Sequence, residues 1–240
     1  MDVTTWNLWV HIGLVALMTG GRYLFEKLLS RFLKALKVEG TNAQMFAKSI
    51  VMVAFNLIVL LLFGLLKAEL VALANVERGL IVVAVGLVMA ILVSLLSYAA
   101  IRAGYGEGYG ALAARSTLDK VFAATTFLVL VGPAEDLFFV GFVQNLLTAR
   151  LGWVSIVVYV VTFTLYHVAN VLSGVEKKEE FLGALPIRLT VAALLGVSFY
   201  ATHSLLYGLV VHNAVDTLSY AALLMGVKHR QANPPVEPDN

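Results

Sequence analysis

Acidic and histidine residues that could do chemistry lie inside several apolar stretches of this sequence. Two of them, His11 and His203, are more simply interhelical or interfacial hydrogen-bonding groups, and five others remain. Glu135 and Asp136 are adjacent in one stretch, His167 lies in the next, and His212 and Asp216 share the last. A charged side chain at the centre of a bilayer costs roughly 2.5–3.5 kcal/mol on insertion scales, so each such residue indicates a functional site. The structural alternative is that these groups only hydrogen-bond the helices to one another.

An acid with histidines can hydrolyse a peptide bond without a covalent intermediate. A carboxylate that is hydrogen-bonded to a histidine can activate water as a general base. A second histidine and a polar side chain on another helix can donate to the developing oxyanion. The sequence contains no HExxH, GxGD or GxSG motif, and its lack of cysteine excludes thiol catalysis, disulfides and cysteine metal sites.

Composition places these residues in a membrane protein. Hydrophobic residues make up 60% of the 240 and charged residues 13%, with a mean hydropathy of +0.87, whereas soluble domains are roughly a quarter charged. A span needs about 20 apolar residues. We therefore predict an all-α, polytopic membrane bundle of about seven transmembrane helices, at residues 6–23, 46–66, 79–101, 121–147, 154–173, 183–201 and 203–226.

The chain is expected to form a single integral membrane domain over residues 1–230. The segment 231–240 carries three prolines and no apolar run, which predicts a disordered tail. Basic residues between the first two spans recur at near-helical spacing and predict an amphipathic helix on the membrane surface, namely Arg22, Lys27, Arg31, Lys34 and Lys37. The charged run 176–180 is interpreted as a solvated loop.

Loop charges predict the orientation. With the N-terminus outside, fourteen of the seventeen Lys and Arg residues fall on one side of the membrane, which should be the cytoplasmic side. We therefore predict an outside N-terminus and a cytoplasmic C-terminus, an arrangement that needs an odd number of spans. The net charge of +2 does not favour a nucleic-acid partner.

The predicted spans bring the candidate residues to one depth. Counted from the outer helix ends at about 1.5 Å per residue, Glu135, His167, His212 and Asp216 all lie roughly 14–20 Å below the outer surface. Since His212 and Asp216 are also i and i+4, they share one helix face. The sequence thus predicts an acid and two histidines meeting at one level, with Glu135 in direct or one-water reach of His167.

Three short motifs carry a resemblance to a known family. Residues 132–144, GPAEDLFFVGFVQ, resemble the first motif of the CAAX-processing and bacteriocin-processing (CPBP, or Abi) intramembrane endopeptidases, usually APxxEExxFRGxxQ. The family's FxxxH is similar to Phe163 through His167, and its HxxxN or HxxxD to His212 through Asp216. Their order on consecutive spans makes the combination more specific than any one motif, and it covers residues 121–226.

The resemblance implies a glutamic intramembrane protease. Glu135 would be the general base, His167 would assist it in activating water, and His212 with Asp216 would form the oxyanion site. The family more often has Asn in place of Asp216, and an ionised Asp only accepts hydrogen bonds. Asp216 would therefore be protonated or orient His212, or else the neighbouring Asn213 would serve as the donor.

The first motif departs from the family pattern in its charged residues. Its second acid is Asp136 rather than Glu, and the family's Arg is replaced by Val140. Those positions are i and i+4 on a helix and can form an ion pair. Without that Arg, Asp136 is expected to be protonated or paired with a distant residue. Either the site has been retuned, or activity has been lost and the scaffold kept.

The sequence leaves other functions open. The leading hypothesis is an endopeptidase that cuts a hydrophobic peptide or membrane-anchored protein, in the bilayer of a prokaryotic plasma membrane. A catalytically silent scaffold that binds a peptide or partner is the second, and a proton- or cation-coupled transporter is the third. No cofactor is called for, although Glu135, His167 and His212 could also form a metal site.

Overall fold

The computed structural model describes residues 6–38, 40–105, 113, 116–172 and 176–233. Seven of its helices are long and apolar enough to cross a membrane, and the described residues contain no strand. The predicted seven-helix, all-α membrane bundle is therefore confirmed. The helices are α1 (Leu8–Ala35), α2 (Thr41–Leu62), α3 (Val76–Arg102), α4 (Thr117–Leu151), α5 (Val154–Leu172), α6 (Lys178–Thr202) and α7 (Leu206–Ala232).

The first helix corrects the prediction of a separate surface helix. It runs without a break to Ala35, so the basic residues from Lys27 onward continue the first span. Arg22, which the orientation argument counted as a loop residue, is only 2% exposed inside the bundle. The hydropathy pattern ended the predicted span at residue 23 because basic residues follow it. The helix itself continues, since long Lys and Arg side chains can reach water from the end of a span.

The C-terminal end of the predicted membrane domain can be compared with the structure. The last helix continues to Ala232, so the first two residues of the predicted tail are helical. The rest of that tail, from residue 234, lies outside the described residues. An odd number of spans would place the two termini on opposite sides of the membrane, and both this arrangement and the choice of side stay predictions.

The fourth helix is the centre of the bundle. In its most apolar window 61% of the residues are buried, against 17–33% in the other six helices. Those six expose Leu, Ile and Val along their outer faces, as lipid contact requires. Functional groups on α4 are consequently enclosed by protein rather than presented to lipid.

The contact between α3 and α7 is the most extensive between two helices. It depends on glycine, because a Cβ added at Gly86 would overlap the side chain of Val211, and one at Gly79 would overlap the ring of Tyr207. Small residues let membrane helices approach closely in this way. Since Val211 directly precedes His212, this contact sets the depth and rotation of one of the candidate residues.

The charged run at 176–180 is only in part the solvated loop that was expected, because Lys177, Lys178 and Glu179 are exposed whereas Glu176 is buried. The side chain of Glu176 is 3% exposed and accepts two hydrogen bonds from Arg188, at 2.7 and 2.9 Å. From Lys178 onward the run forms the first turn of α6, where Glu179 and Glu180 suit the positive end of the helix dipole. The sequence could not predict the ion pair of Glu176 with Arg188, because residues twelve positions apart leave no local sequence pattern.

Candidate active site

The helix that carries Glu135 and Asp136 is interrupted on both sides of them. It is α-helical over Val131–Phe138, with π-helical turns over Thr126–Leu130 before it and Phe139–Gln144 after it. Such wide turns change the direction in which successive side chains point and occur often at functional sites. Adjacent acids in this short segment face different neighbours.

Glu135 faces the two histidines. Its Oε2 lies 4.0 Å from Nε2 of His167 and 3.8 Å from Nε2 of His212. The side chains of Glu135 and His167 are 21% and 20% exposed, so both remain partly accessible within the bundle. A polar separation of this size suits one bridging water. Glu135 and His167 thus lie at the one-water separation expected from their matched depth.

The orientation of His167 follows from Phe163, one turn earlier. Nδ1 of His167 is 2.9 Å from the Phe163 carbonyl oxygen. Because a carbonyl only accepts, Nδ1 carries the hydrogen and donates it. The regular α-helical part of α5 is interrupted at His167, between Tyr166 and Val168, and the His167 backbone N–H donates to the carbonyl of Thr164. In a neutral His167, Nε2 therefore presents a lone pair towards Glu135.

Asp136 has a partner distant in sequence. Its Oδ1 accepts a hydrogen bond from Nδ1 of His212 at 2.9 Å, and its side chain is only 2% exposed. Of the two outcomes expected without the motif Arg, the structure gives pairing with a distant residue. Val140, 3% exposed, stands beside this pair in a crevice too narrow for a water molecule, lined also by Leu195, Phe199, Ser204, Leu205 and Gly208.

The two polar residues after His212 go to different places. Oδ2 of Asp216 lies 3.4 Å from Nε2 of His212, on the ring edge opposite to Asp136. Asn213 instead accepts the backbone N–H of Gly132 through its Oδ1, at 3.0 Å. A Cβ at Gly132 would lie 2.6 Å from that oxygen, which explains the glycine. Asn213 therefore joins α7 to α4, while Asp216 joins the histidine cluster.

Arg22 of α1 is a site-lining residue that the sequence analysis missed. Its Nη2 donates to the carbonyl of Ala134 at 2.9 Å, and its Nη1 to Oδ1 of Asn56 at 3.4 Å. Asn56, fully buried on α2, also donates to Ala134 at 2.8 Å. The available signal was an arginine between apolar segments, which the loop boundary concealed.

No group of three or more His or acidic side chains in the described ranges has an arrangement that could hold a metal ion. The polar contacts of His167 and His212 are hydrogen bonds and ion pairs. In each of them a histidine nitrogen faces a carboxylate or a carbonyl oxygen.

Comparison with known proteins finds a family that covers the same part of the chain. Residues 117–218 match the family described as type II CAAX prenyl endopeptidase Rce1-like. The segment 117–218 is therefore similar to that family. The resemblance to the CPBP endopeptidases predicted from three motifs is thereby confirmed. Searches of curated proteins and of solved structures found no match.

The Rce1-like segment begins at the first residue of α4 and ends two residues after Asp216. It therefore contains both acids, both histidines and Asp216, and it leaves out α1, α2 and α3. The family is one of proteases, which supports a CAAX-type intramembrane peptidase. Arg22, Asn56 and Gly86 support the Rce1-like segment from outside the matched region.

Proposed function

We propose that this protein is an active intramembrane endopeptidase of the glutamate type. The observation that carries the proposal is the position of Glu135, whose Oε2 lies 4.0 and 3.8 Å from Nε2 of His167 and His212. An acid between two imidazoles in the centre of the bundle has the parts that peptide hydrolysis needs. The Rce1-like match of the same segment supports a peptide substrate.

In the proposed reaction, Glu135 and His167 orient one water molecule. Nε2 of neutral His167 accepts one hydrogen of the water and the ionised Glu135 carboxylate accepts the other, so an oxygen lone pair is left to attack. The water oxygen bonds to the peptide carbonyl carbon as its proton passes to Glu135. Collapse of the tetrahedral intermediate breaks the C–N bond, and Glu135 returns that proton to the leaving amine.

His212 is the proposed donor to the oxyanion. Its Nδ1–H is held by Asp136 at 2.9 Å, so only Nε2 is available to a substrate. Carboxylates on both edges of the ring stabilise a charged imidazolium, in which Nε2 also carries a hydrogen. Asp216, at 3.4 Å from Nε2, acts by orienting and charging His212 rather than by donating itself.

The proposed substrate is a hydrophobic peptide or a membrane-anchored protein that reaches the site within the bilayer. The match is to a family described as prenyl endopeptidases, so a peptide with a prenylated cysteine is the first substrate to test. The proposed location is a prokaryotic plasma membrane, with the long basic end of α1 and the C-terminus in the cytoplasm.

A silent scaffold is the second candidate, because one observation favours it. Val140 stands where the family motif has Arg, and the crevice beside it is closed even to water. In this alternative the Asp136–His212 pair serves only to hold α4 and α7 together. The protein would then bind a peptide without cutting it.

Reconstitution in liposomes separates these functions. The wild type and Glu135→Gln are presented with a library of membrane-anchored peptides, prenylated and not, and products are identified by mass spectrometry. We expect cleavage by the wild type and a loss of roughly 10²–10⁴-fold in Glu135→Gln, the usual contribution of a general base. Binding without cleavage in both proteins indicates the scaffold, and Glu135-dependent ion flux without cleavage indicates a transporter. Inhibition by chelators that added metal reverses would assign the cluster to metal chemistry.

A further inference from the structure

Arg22 is buried without the partner that a buried cation needs. The residue is 2% exposed, and in the described part of the chain it forms no salt bridge, while its Nε has no hydrogen-bond partner. Glu26, one turn further along α1, is paired with Lys48 at 2.7 Å. A guanidinium in such a place lowers stability unless it is compensated, so its presence points to a functional role.

The hydrogen bonds of Arg22 converge on the peptide that precedes Glu135. Arg22 from α1 and Asn56 from α2 donate to the same carbonyl oxygen of Ala134, at 2.9 and 2.8 Å. That carbonyl belongs to the peptide unit whose nitrogen is that of Glu135. Two donors from separate helices therefore fix the backbone at Glu135, in a helix that wide turns interrupt on either side.

Three aromatic rings surround the guanidinium, each with its centroid 5.0 Å from Cζ. Phe138 and Phe139 follow Glu135 on α4, and Tyr166 directly precedes His167 on α5. Phe139 and Tyr166 also contact each other, with centroids 5.0 Å apart. Cation–π attraction is stronger where water is excluded. Arg22 thus lies between the two backbone segments that carry Glu135 and His167.

We propose that Arg22 is a positioning residue that sets the separation of Glu135 and His167. This inference rests on the proposed function, because it assigns Arg22 to the same water-activating pair. The guanidinium is attracted electrostatically by the carboxylates of Glu26 and Glu135, which helps to hold it between the two segments. Arg22 touches neither the substrate nor the water.

The test compares Arg22→Met and Arg22→Lys with the matched control Arg31→Met, an exposed arginine on the same helix. Met fills the ring cage without charge or donor, and replacing a buried ion by an apolar residue is often neutral for stability. We expect Arg22→Met to lower kcat about 100-fold, as a displaced catalytic group does, with unchanged KM and melting temperature. Lys should recover part of kcat, and Arg31→Met should match the wild type. A folded Arg22→Met with wild-type kcat would overturn the inference.

Two further measurements test the inference if Arg22→Met does not fold or if no cleavage is detected. If Arg22→Met does not fold, Asn56→Leu removes the second donor and leaves Arg22 in place. A lower kcat in that variant supports the inference, and an unchanged one overturns it. If Arg22 positions Glu135, the accessibility of that carboxyl group changes when Arg22 is lost. The rate at which an apolar carbodiimide labels Glu135 should therefore differ between Arg22→Met, or Asn56→Leu, and the control Arg31→Met. Equal rates would contradict the inference, and this readout needs no cleavage, so it is separate from failure of the proposed function.

Discussion

Glu135 and Asp136 are neighbours on α4, yet their surroundings are opposite. The Glu135 side chain is 21% exposed, and its nearest histidine nitrogens are 3.8 and 4.0 Å away. The Asp136 side chain is 2% exposed and is hydrogen-bonded to His212 at 2.9 Å. One acid is partly accessible with loose contacts, and the other is enclosed and tightly bonded.

This difference indicates two tasks for two acids of similar chemistry. A reacting base needs space and loose contacts, because substrate and water must enter. An orienting acid needs the reverse, since a tight bond fixes the tautomer and direction of its histidine. Asp136 therefore holds His212 in place, and Glu135 is left to act.

The largest expected effect comes from replacing each acid by Leu. Asp136→Leu leaves Nδ1 of His212 buried without a partner, which should lower the free energy of unfolding by about 3–5 kcal/mol. Glu135→Leu should change it by less than about 1 kcal/mol while abolishing cleavage. Thermal unfolding in detergent and the liposome assay measure the two quantities. Equal destabilisation by both variants would show that Asp136 and Glu135 do not differ in their structural roles.

The accessible acid, Glu135, is tested next through its neighbour on α5, by His167→Phe. In the native protein the ring centroids of Phe163 and His167 are 4.7 Å apart, and a Phe ring at 167 can pack against Phe163 in the same way. It cannot accept a hydrogen bond from water. Cleavage should fall by roughly 10²–10⁴-fold, with the melting temperature unchanged. His229→Phe, beside Tyr98 at the far end of α7, is the control. Full activity in His167→Phe would remove His167 from the mechanism.

The enclosed side of α4 is tested by Val140→Arg. Asp136 already has His212 as its partner, and the crevice at Val140 has no space for a larger side chain. Overpacking of a closed site costs about 1–3 kcal/mol, so the added charge should be neutral or harmful to cleavage. Increased cleavage would instead mean that activity had declined with loss of the motif Arg. Combination with Glu135→Gln should abolish any such gain.

The smallest expected effect acts on His212 through the helix contact behind it. Gly86→Ala forces Val211 away from α3 and should lower stability by about 1–3 kcal/mol, with a smaller loss of cleavage. Gly20→Ala is the matched control, because no atom lies within 4 Å of its added Cβ. A chemical-unfolding series on the two variants gives the difference. Equal stability would show that the α3–α7 contact does not set His212.

The sequence was sufficient for the number of helices and for the family. Long apolar runs predicted seven spans, and counting residues from the predicted span ends placed Glu135 and His167 at one depth, because both depend on local pattern and helical rise. The partner of Asp136 could not be predicted, since His212 is 76 residues away. Arg22 was missed for the same reason, because only tertiary packing brings α1 against Ala134.

The central claim is that Glu135 and His167 hold one water between them. The most direct test is a crystal or cryo-electron-microscopy map at a resolution that shows ordered water, with the protein in a lipid environment. We predict a single water peak within hydrogen-bonding distance of both Oε2 of Glu135 and Nε2 of His167. A map in which Glu135 faces lipid, or is separated from His167 by another helix, would contradict the claim.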